Sequence, residues 1–271
     1  MKKSIPTIMF LVTLVASAGT LHAQGMKMGE VIIVSNPTLK KDVKPEAFRD
    51  WVSKEIVPPW EKKHPGTSMH LFQADRGKGK GEFLLATGAA TQADRGKLPQ
   101  GNPFTENVIT PADYFIEPGS YTEYYLIGSE YFKSMPVAGI LGIHYIKVKP
   151  GRSAEFEKFV IEKLHPAVGQ LFPDMQLLYY KAVAGDNKGE YITIFTIESV
   201  AVRDKYWPGG APETEALKKG FVPLKKLALE LGDYLVEGSY LKPESGGAAA
   251  YFESTKWTDF VYVPVAQGDG P

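Results

Sequence analysis

PEAFRDWVSKEIVPPW (45–60) and SAEFEKFVIEKLHPAV (153–168) are the two stretches whose comparison decides the architecture of this chain. With a shift of 108 residues, Phe48 meets Phe156, Trp51 meets Phe159, Val52 meets Val160, Ile56 meets Leu164 and Pro58 meets Pro166. Phe156, Phe159, Val160 and Leu164 fall at i, i+3, i+4 and i+8, the stripe of an amphipathic helix. Pro45 and Ser153 suit its first turn or cap. The register continues without a gap: KGEFLLAT (80–87) lies over KGEYITIF (188–195), and ADRGKLPQG (93–101) over AVRDKYWPGG (201–210). In the last pair Arg95 meets Arg203, Lys97 meets Lys205 and Gly101 meets Gly209. Beyond it SYTEYYLIG (120–128) matches KWTDFVYVP (256–264) at a shift of 136, so 28 extra residues fall between about 210 and 255. A repeat of this length is an internal duplication.

Each copy predicts the same elements. EVIIVS (30–35) and LGIHYIKV (141–148) are β-branched first strands, and the amphipathic helix follows. TSMHLFQA (67–74) and MQLLYYKA (175–182) are second strands that turn through GKGKG (77–81) and GDNKG (185–189) into third strands. A second helical region precedes the fourth strands, Tyr121–Ile127 and Trp257–Val263; in the second copy it is long and includes 216–235. The order is the split βαβ, or ferredoxin-like, pattern. Its helices cover one sheet face and leave the other bare, so the fold class is α+β, with two tandem repeats packed sheet to sheet.

The envelope fits this plan. The 271 residues carry 31 basic and 31 acidic side chains, which gives no pull toward nucleic acid or an anionic membrane. Lys2, Lys3, the apolar run 5–21 and Ala23 predict a secretory signal peptide over 1–23, cleaved before Gln24, with no stable membrane span afterwards. The expected boundaries are 29–135 and 136–264 for the repeats, with the insertion at about 210–255, and a tail over 265–271. There is no cysteine, so neither disulfides nor thiol catalysis is available. GKGKG lacks the Lys-Ser/Thr spacing of a phosphate loop and reads as a hairpin turn.

In element order and duplication the chain resembles the dimeric α+β barrel superfamily in its tandem, single-chain form, including proteins similar to antibiotic-biosynthesis monooxygenases. The resemblance covers most of residues 29–264. It implies a pseudo-dimeric barrel, a small-molecule ligand, and an activity drawn from cofactor-free oxygenation, isomerisation or haem chemistry. Fold alone does not choose among them.

The candidate residues stand on their own chemistry. His70 and His144 lie on strands whose faces could point into the space between the sheets. Glu123 and Asp259 occupy equivalent places in the fourth strands, where paired carboxylates could raise each other's pKa and act as a base. Aromatic residues crowd the strands (Phe72, Tyr121, Tyr124, Tyr125, Tyr179, Tyr180, Tyr191, Trp257 and Phe260), as a cavity for a flat organic ligand or a packed core would need. Of these, Phe72 and Tyr180 are taken as ligand-binding, with Arg203, Tyr206 and Trp207 at the root of the insertion. Tyr206 and Trp207 replace Leu98 and Pro99 of the first copy, either to anchor the insertion or to line a cavity mouth. His165 ends a helix, where a cation is favourable; if haem is bound, as the resemblance allows, His165 or His144 would be its axial ligand. No HxH or HExxH cluster points to a metal. The residues require no cofactor. Three functions stay open: an exported enzyme acting on an aromatic or polycyclic compound, a haem-binding barrel, and a non-catalytic periplasmic or secreted binding protein with the insertion as its partner surface. A homodimer is compatible with each.

Overall fold

The computed structural model describes residues 25–98, 116–132, 136–172, 174–208, 215–236, 239 and 258–264. The expected signal peptide and tail, and Trp257, lie outside them.

The first repeat runs from β2 (Val31–Leu39) through α1 (Pro45–Trp51), a π-helical turn (Val52–Ile56) and α2 (Val57–Lys63). It continues with β3 (Thr67–Gly77), β4 (Phe83–Ala89), a 3-10 turn (Gln92–Lys97) and β5 (Ile116–Leu126). The second repeat comprises β7 (Ile140–Ile146), α3 (Ser153–Phe159), a π turn (Val160–Leu164), α4 (His165–Leu171), β8 (Met175–Gly185) and β9 (Tyr191–Ile197). It closes with α5 (Val200–Tyr206), the insertion helix α6 (Glu215–Tyr234) and β10 (Thr258–Tyr262).

The π turns repeat as faithfully as the strands. Pro58 and Pro166 have no N–H to donate, and a proline ring in a helix crowds the carbonyl four residues back. The ladder steps over the difficulty: the Val57 N–H donates to the Val52 carbonyl and the His165 N–H to the Val160 carbonyl, a five-residue reach in both copies. The hairpins repeat too. Gly77 and Gly81, like Gly185 and Gly189, hold φ between 87° and 92°, a region costly for any residue with a Cβ.

Eight antiparallel strands close in the order β10-β3-β4-β2-β5-β8-β9-β7. Each repeat supplies one ferredoxin-like sheet, and the seams are β5 against β8 and β10 against β3. Each seam carries a register shift at the same place, between Glu123 and Tyr124 in one and between Asp259 and Phe260 in the other. The duplicated barrel is thus what the repeat predicts.

Strand alternation sorts the core into three parts. Ile32, Val34, Phe72, Leu84, Tyr124, Leu178, Tyr180, Ile192 and Phe260 fill the barrel. Phe48, Trp51, Val52 and Trp60 of the first helical layer pack on its outer face, as do Phe156, Phe159, Val160 and Leu164 of the second. A short ribbon, β1 (Met26–Lys27) paired with β6 (Val137–Ala138), closes one end, with Met26, Met28 and Ala138 joining the interior. The insertion helix packs on the second helical layer, where Leu224 and Leu227 bury against it. No helix among the described residues is long and apolar enough to cross a membrane.

Candidate functional site

The same alternation places each candidate. His70, Phe72 and Tyr180 point into the barrel; Glu123, Asp259 and His144 point out of it, under the helices.

His70 is half-buried on β3, level with Ala86, at the seam where β10 ends. Its ring meets the edge of Tyr262 at 5.6 Å, and Tyr262 in turn meets Phe72 at 5.8 Å. Burial lowers its pKa to about 4, so the imidazole is neutral at pH 7. Its Nδ1 is buried without a hydrogen-bond partner among the described residues. The equivalent corner at the other seam holds Leu178 and Leu126. One corner of the barrel interior therefore carries a neutral imidazole against Tyr262, which packs in turn on Phe72.

The paired carboxylates do not share a cavity. At each bulge the outward position goes to the acid and the inward one to an aromatic, Tyr124 or Phe260. Arg95 grips Glu123 through both Nε and Nη2 and donates Nη1 to the Leu98 carbonyl at 3.0 Å. Arg203, only 3% exposed, reaches both oxygens of Asp75 at 2.8 Å, Asp204 at 3.2 Å and Asp259 at 3.5 Å. The arginines that coincide in the repeat thus clamp the acids that coincide in it. Burial draws the Arg203 guanidinium down, but Asp75, Asp259 and Asp204 outweigh this and raise it. A buried charge held this way is committed to its partners. Glu123 and Asp259 as a shared base, and Arg203 as a ligand contact, are therefore corrected to outer-face clamps.

His144 is corrected likewise. The odd-numbered Leu141, Ile143 and Tyr145 take the interior, so His144 faces outward opposite Thr193, 6.1 Å from the Phe195 ring. It is 1% exposed, and burial lowers its pKa to about 3.

Tyr206 and Trp207 also lie outside the barrel. Tyr206 is buried against Phe172 at 5.9 Å and donates its hydroxyl to Asp174 at 3.0 Å. Trp207 packs on Phe195, and its carbonyl accepts from Arg76 Nη1 at 2.6 Å. Both join the apolar layer that receives Leu224 of α6, which is where an anchor for the insertion belongs.

His165 opens α4 and is 3% exposed, with its ring 5.0–5.8 Å from Phe132, Tyr131 and Tyr179. Neither ring nitrogen has a hydrogen-bond partner among the described residues, and burial lowers its pKa to about 4. A neutral imidazole in apolar surroundings fits a haem iron by its chemistry. Those three rings pack closely enough that a macrocycle would have to displace Tyr131 and Phe132 of the inter-repeat connection. Among the described residues no group of three or more His, Cys, Asp or Glu could hold a metal.

Sequence reasoning missed three interior groups. Tyr262 falls on a fourth strand whose inward parity, shared with Phe260, was readable. Tyr145 is inward and its pKa is raised by burial. At the hairpin end of the barrel, Asn187 donates to the Thr122 hydroxyl at 3.1 Å, and burial raises the pKa of the neighbouring Tyr124. A turn residue reaching over a barrel mouth has no signal in the sequence. Of the expected lining, Tyr121, Tyr125, Tyr179 and Tyr191 face the helices instead.

No family model matches the chain. No curated protein matches it either. Among solved structures, a candidate chlorite dismutase superposes with a TM-score of 0.50 at 10% identity, covering 88% of this chain and 96% of that one. An anthrone oxidase-like protein gives 0.48 at 12% identity, over 90% and 94% of the two chains. A haem-binding protein from Thermus thermophilus gives 0.46 at 11%, over 87% and 92%. Identities this low speak for fold and not for activity. The chain has the dimeric α+β barrel fold, written as two ferredoxin-like repeats in one polypeptide.

Proposed function

We propose that this is an exported barrel protein that binds a flat, hydroxylated aromatic or polycyclic compound at the corner formed by His70, Phe72 and Tyr262. The observation that supports it most is the asymmetry of the two seams: His70 and Tyr262 stand where the other half has Leu178 and Leu126. A polar group buried without a partner is costly, and a ligand hydroxyl donating to Nδ1 would remove that cost. With the imidazole neutral, the role it suits is acceptor of a hydrogen bond, or of the proton itself, from a phenol or enol. In an enzyme of the monooxygenase-like or isomerase-like kind, that transfer would be the chemical step assigned to His70.

Titration with 2-naphthol and with naphthalene separates this reading from plain hydrophobic uptake. Naphthol should bind at least about tenfold more tightly than naphthalene, and His70→Leu should abolish only that preference. Equal binding of both, or a preference kept by the variant, refutes the reading. Export is tested by N-terminal sequencing of the mature protein, which should begin at Gln24.

A second reading, haem binding, is favoured by the two unpartnered nitrogens of His165. Bound haem would supply redox chemistry, with His165 as the residue that holds it once Tyr131 and Phe132 have moved aside, and with Tyr179 remaining beside the imidazole. It predicts a Soret band on haem addition that is lost in His165→Ala and kept in His144→Ala.

A further inference from the structure

The two halves of the barrel are filled differently at the end closed by the ribbon. On the inward face, Ser68 pairs with Gly88 in the first repeat, and Gln176 pairs with Thr196 at the matching place in the second. One inward pair further along, His70 lies level with Ala86, and their counterparts are Leu178 and Ile194. Ser68, Ala86 and Gly88 are each smaller than the residue that answers them, so the half that carries His70 is the one that gave up bulk. The lost volume is made good from outside the sheet. β1 lies against β3, and Met26, fully buried, joins the barrel interior. Its Cε comes within 2.8 Å of where a Cβ on Gly88 would stand, and the Ser68 Oγ lies 3.4 Å from the same point. A side chain at position 88 and the Met26 thioether thus compete for one volume. Gly88 does not have a positive φ, so the absence of its side chain provides room rather than backbone freedom.

In the second half the space is taken by side chains fixed to the barrel strands themselves. In the first half it is taken by one unbranched, flexible thioether, the kind of side chain that fills an irregular gap and can leave it. Ser68 and His70 stand two residues apart on β3, roughly 7 Å, so the Met26 slot and the imidazole belong to one continuous strip of the inner wall. We propose that Met26 sets the length of the ligand admitted at the His70 corner. Its thioether occupies the slot between Gly88 and Ser68 where a longer polycyclic phenol, its hydroxyl on His70, would lay its far rings. This role presupposes the reading of His70 as acceptor of the ligand hydroxyl, and adds a length limit to it. With Met26 in place, two-ring phenols fit and four-ring phenols are resisted.

Titration of the full mature chain with 2-naphthol and with hydroxypyrene tests this. The wild type should bind naphthol at least about tenfold more tightly than hydroxypyrene. Met26→Ala should tighten hydroxypyrene by at least about tenfold and leave naphthol within about threefold. Met26→Val, a milder truncation, should move hydroxypyrene the same way by a smaller factor, and Met26→Leu, which keeps the bulk, should behave as wild type. Adding Gly88→Val to Met26→Ala refills the slot from the β4 wall and should return hydroxypyrene to its wild-type affinity. A fold merely loosened by the truncation would change both ligands together and would not be reversed at position 88. Equal binding of the two ligands by the wild type, unchanged selectivity in both truncations, or a gain that Gly88→Val does not reverse overturns the role of Met26. If naphthol still outbinds naphthalene in such a case, and His70→Leu still removes that preference, the His70 reading survives alone. If the wild type does not prefer naphthol to naphthalene, the His70 reading fails and the length limit fails with it.

Discussion

The two seams of the barrel are built alike and used differently. At one, Arg95 holds Glu123 and the Leu98 carbonyl; at the other, Arg203 holds Asp259 together with Asp75 and Asp204. Just inside the first seam lie Leu126 and Leu178, and just inside the second lie Tyr262 and His70. What the copies kept is geometric: the arginine-to-strand clamp, the bulge beneath it, the π turn and the glycine hairpins. What they changed is chemical, and it gathers at one interior corner. Divergence after duplication is easiest where a side chain carries no architectural role.

The comparison can be broken most forcefully at its clamps. Arg203→Ala should destabilise the fold by about 3–5 kcal/mol, because it removes the buried cation that Asp75, Asp204 and Asp259 share under the helices. Chemical denaturation measures this, and Arg95→Ala should follow it closely; a cost below about 1 kcal/mol at either site would show that the clamps are ornamental.

Acid should come next. His70, His144 and His165 titrate near 6.5 in the unfolded chain and only at about 4, about 3 and about 4 when folded. Between those values the unfolded chain binds more protons, so stability falls as pH drops from 6.5 toward 4 and is unaffected by these groups above 6.5. The loss is about 3 kcal/mol per histidine. His144→Leu should flatten the pH profile of the denaturation midpoint, and an unchanged slope would contradict its burial as a neutral group.

A smaller effect separates Tyr180 from its counterpart Phe72. The Tyr180 hydroxyl donates to the Gly29 carbonyl at 2.8 Å and ties the closing ribbon to the barrel; Phe72 has nothing to donate. Tyr180→Phe should cost about 1–2 kcal/mol and speed amide exchange in the ribbon, whereas removing the Phe72 ring should leave that exchange pattern intact. The smallest change expected is His70→Leu, which makes the two corners alike. Stability should move by less than about 1 kcal/mol, since an unpartnered nitrogen is lost, while selectivity for a hydroxylated ligand disappears.

The fold was legible because repetition and periodicity are written in single residues. Phe48 over Phe156 and the prolines over one another identify the duplication, and element order then leaves few ways to cover two bare sheet faces. The site was legible only in part. His70 on the face of Phe72 and Ala74 was readable from alternation, and so in principle was Tyr262. For His144, Glu123 and Asp259 the period is visible but its phase is not: two neighbouring residues alternate equally well whichever one faces in. The bulges sharpen that difficulty, since an inserted residue resets the pairing at the very place where the acids sit.

By itself the sequence determined the number of repeats, their element order and the absence of disulfides. Those depend on local propensity and on the match between copies, which no distant contact alters. Only the tertiary structure decided which side of each strand is the inside, which arginine answers which acid, and that Tyr206 and Trp207 serve the outer layer. Those follow from barrel closure, where strands more than a hundred residues apart set each other's register.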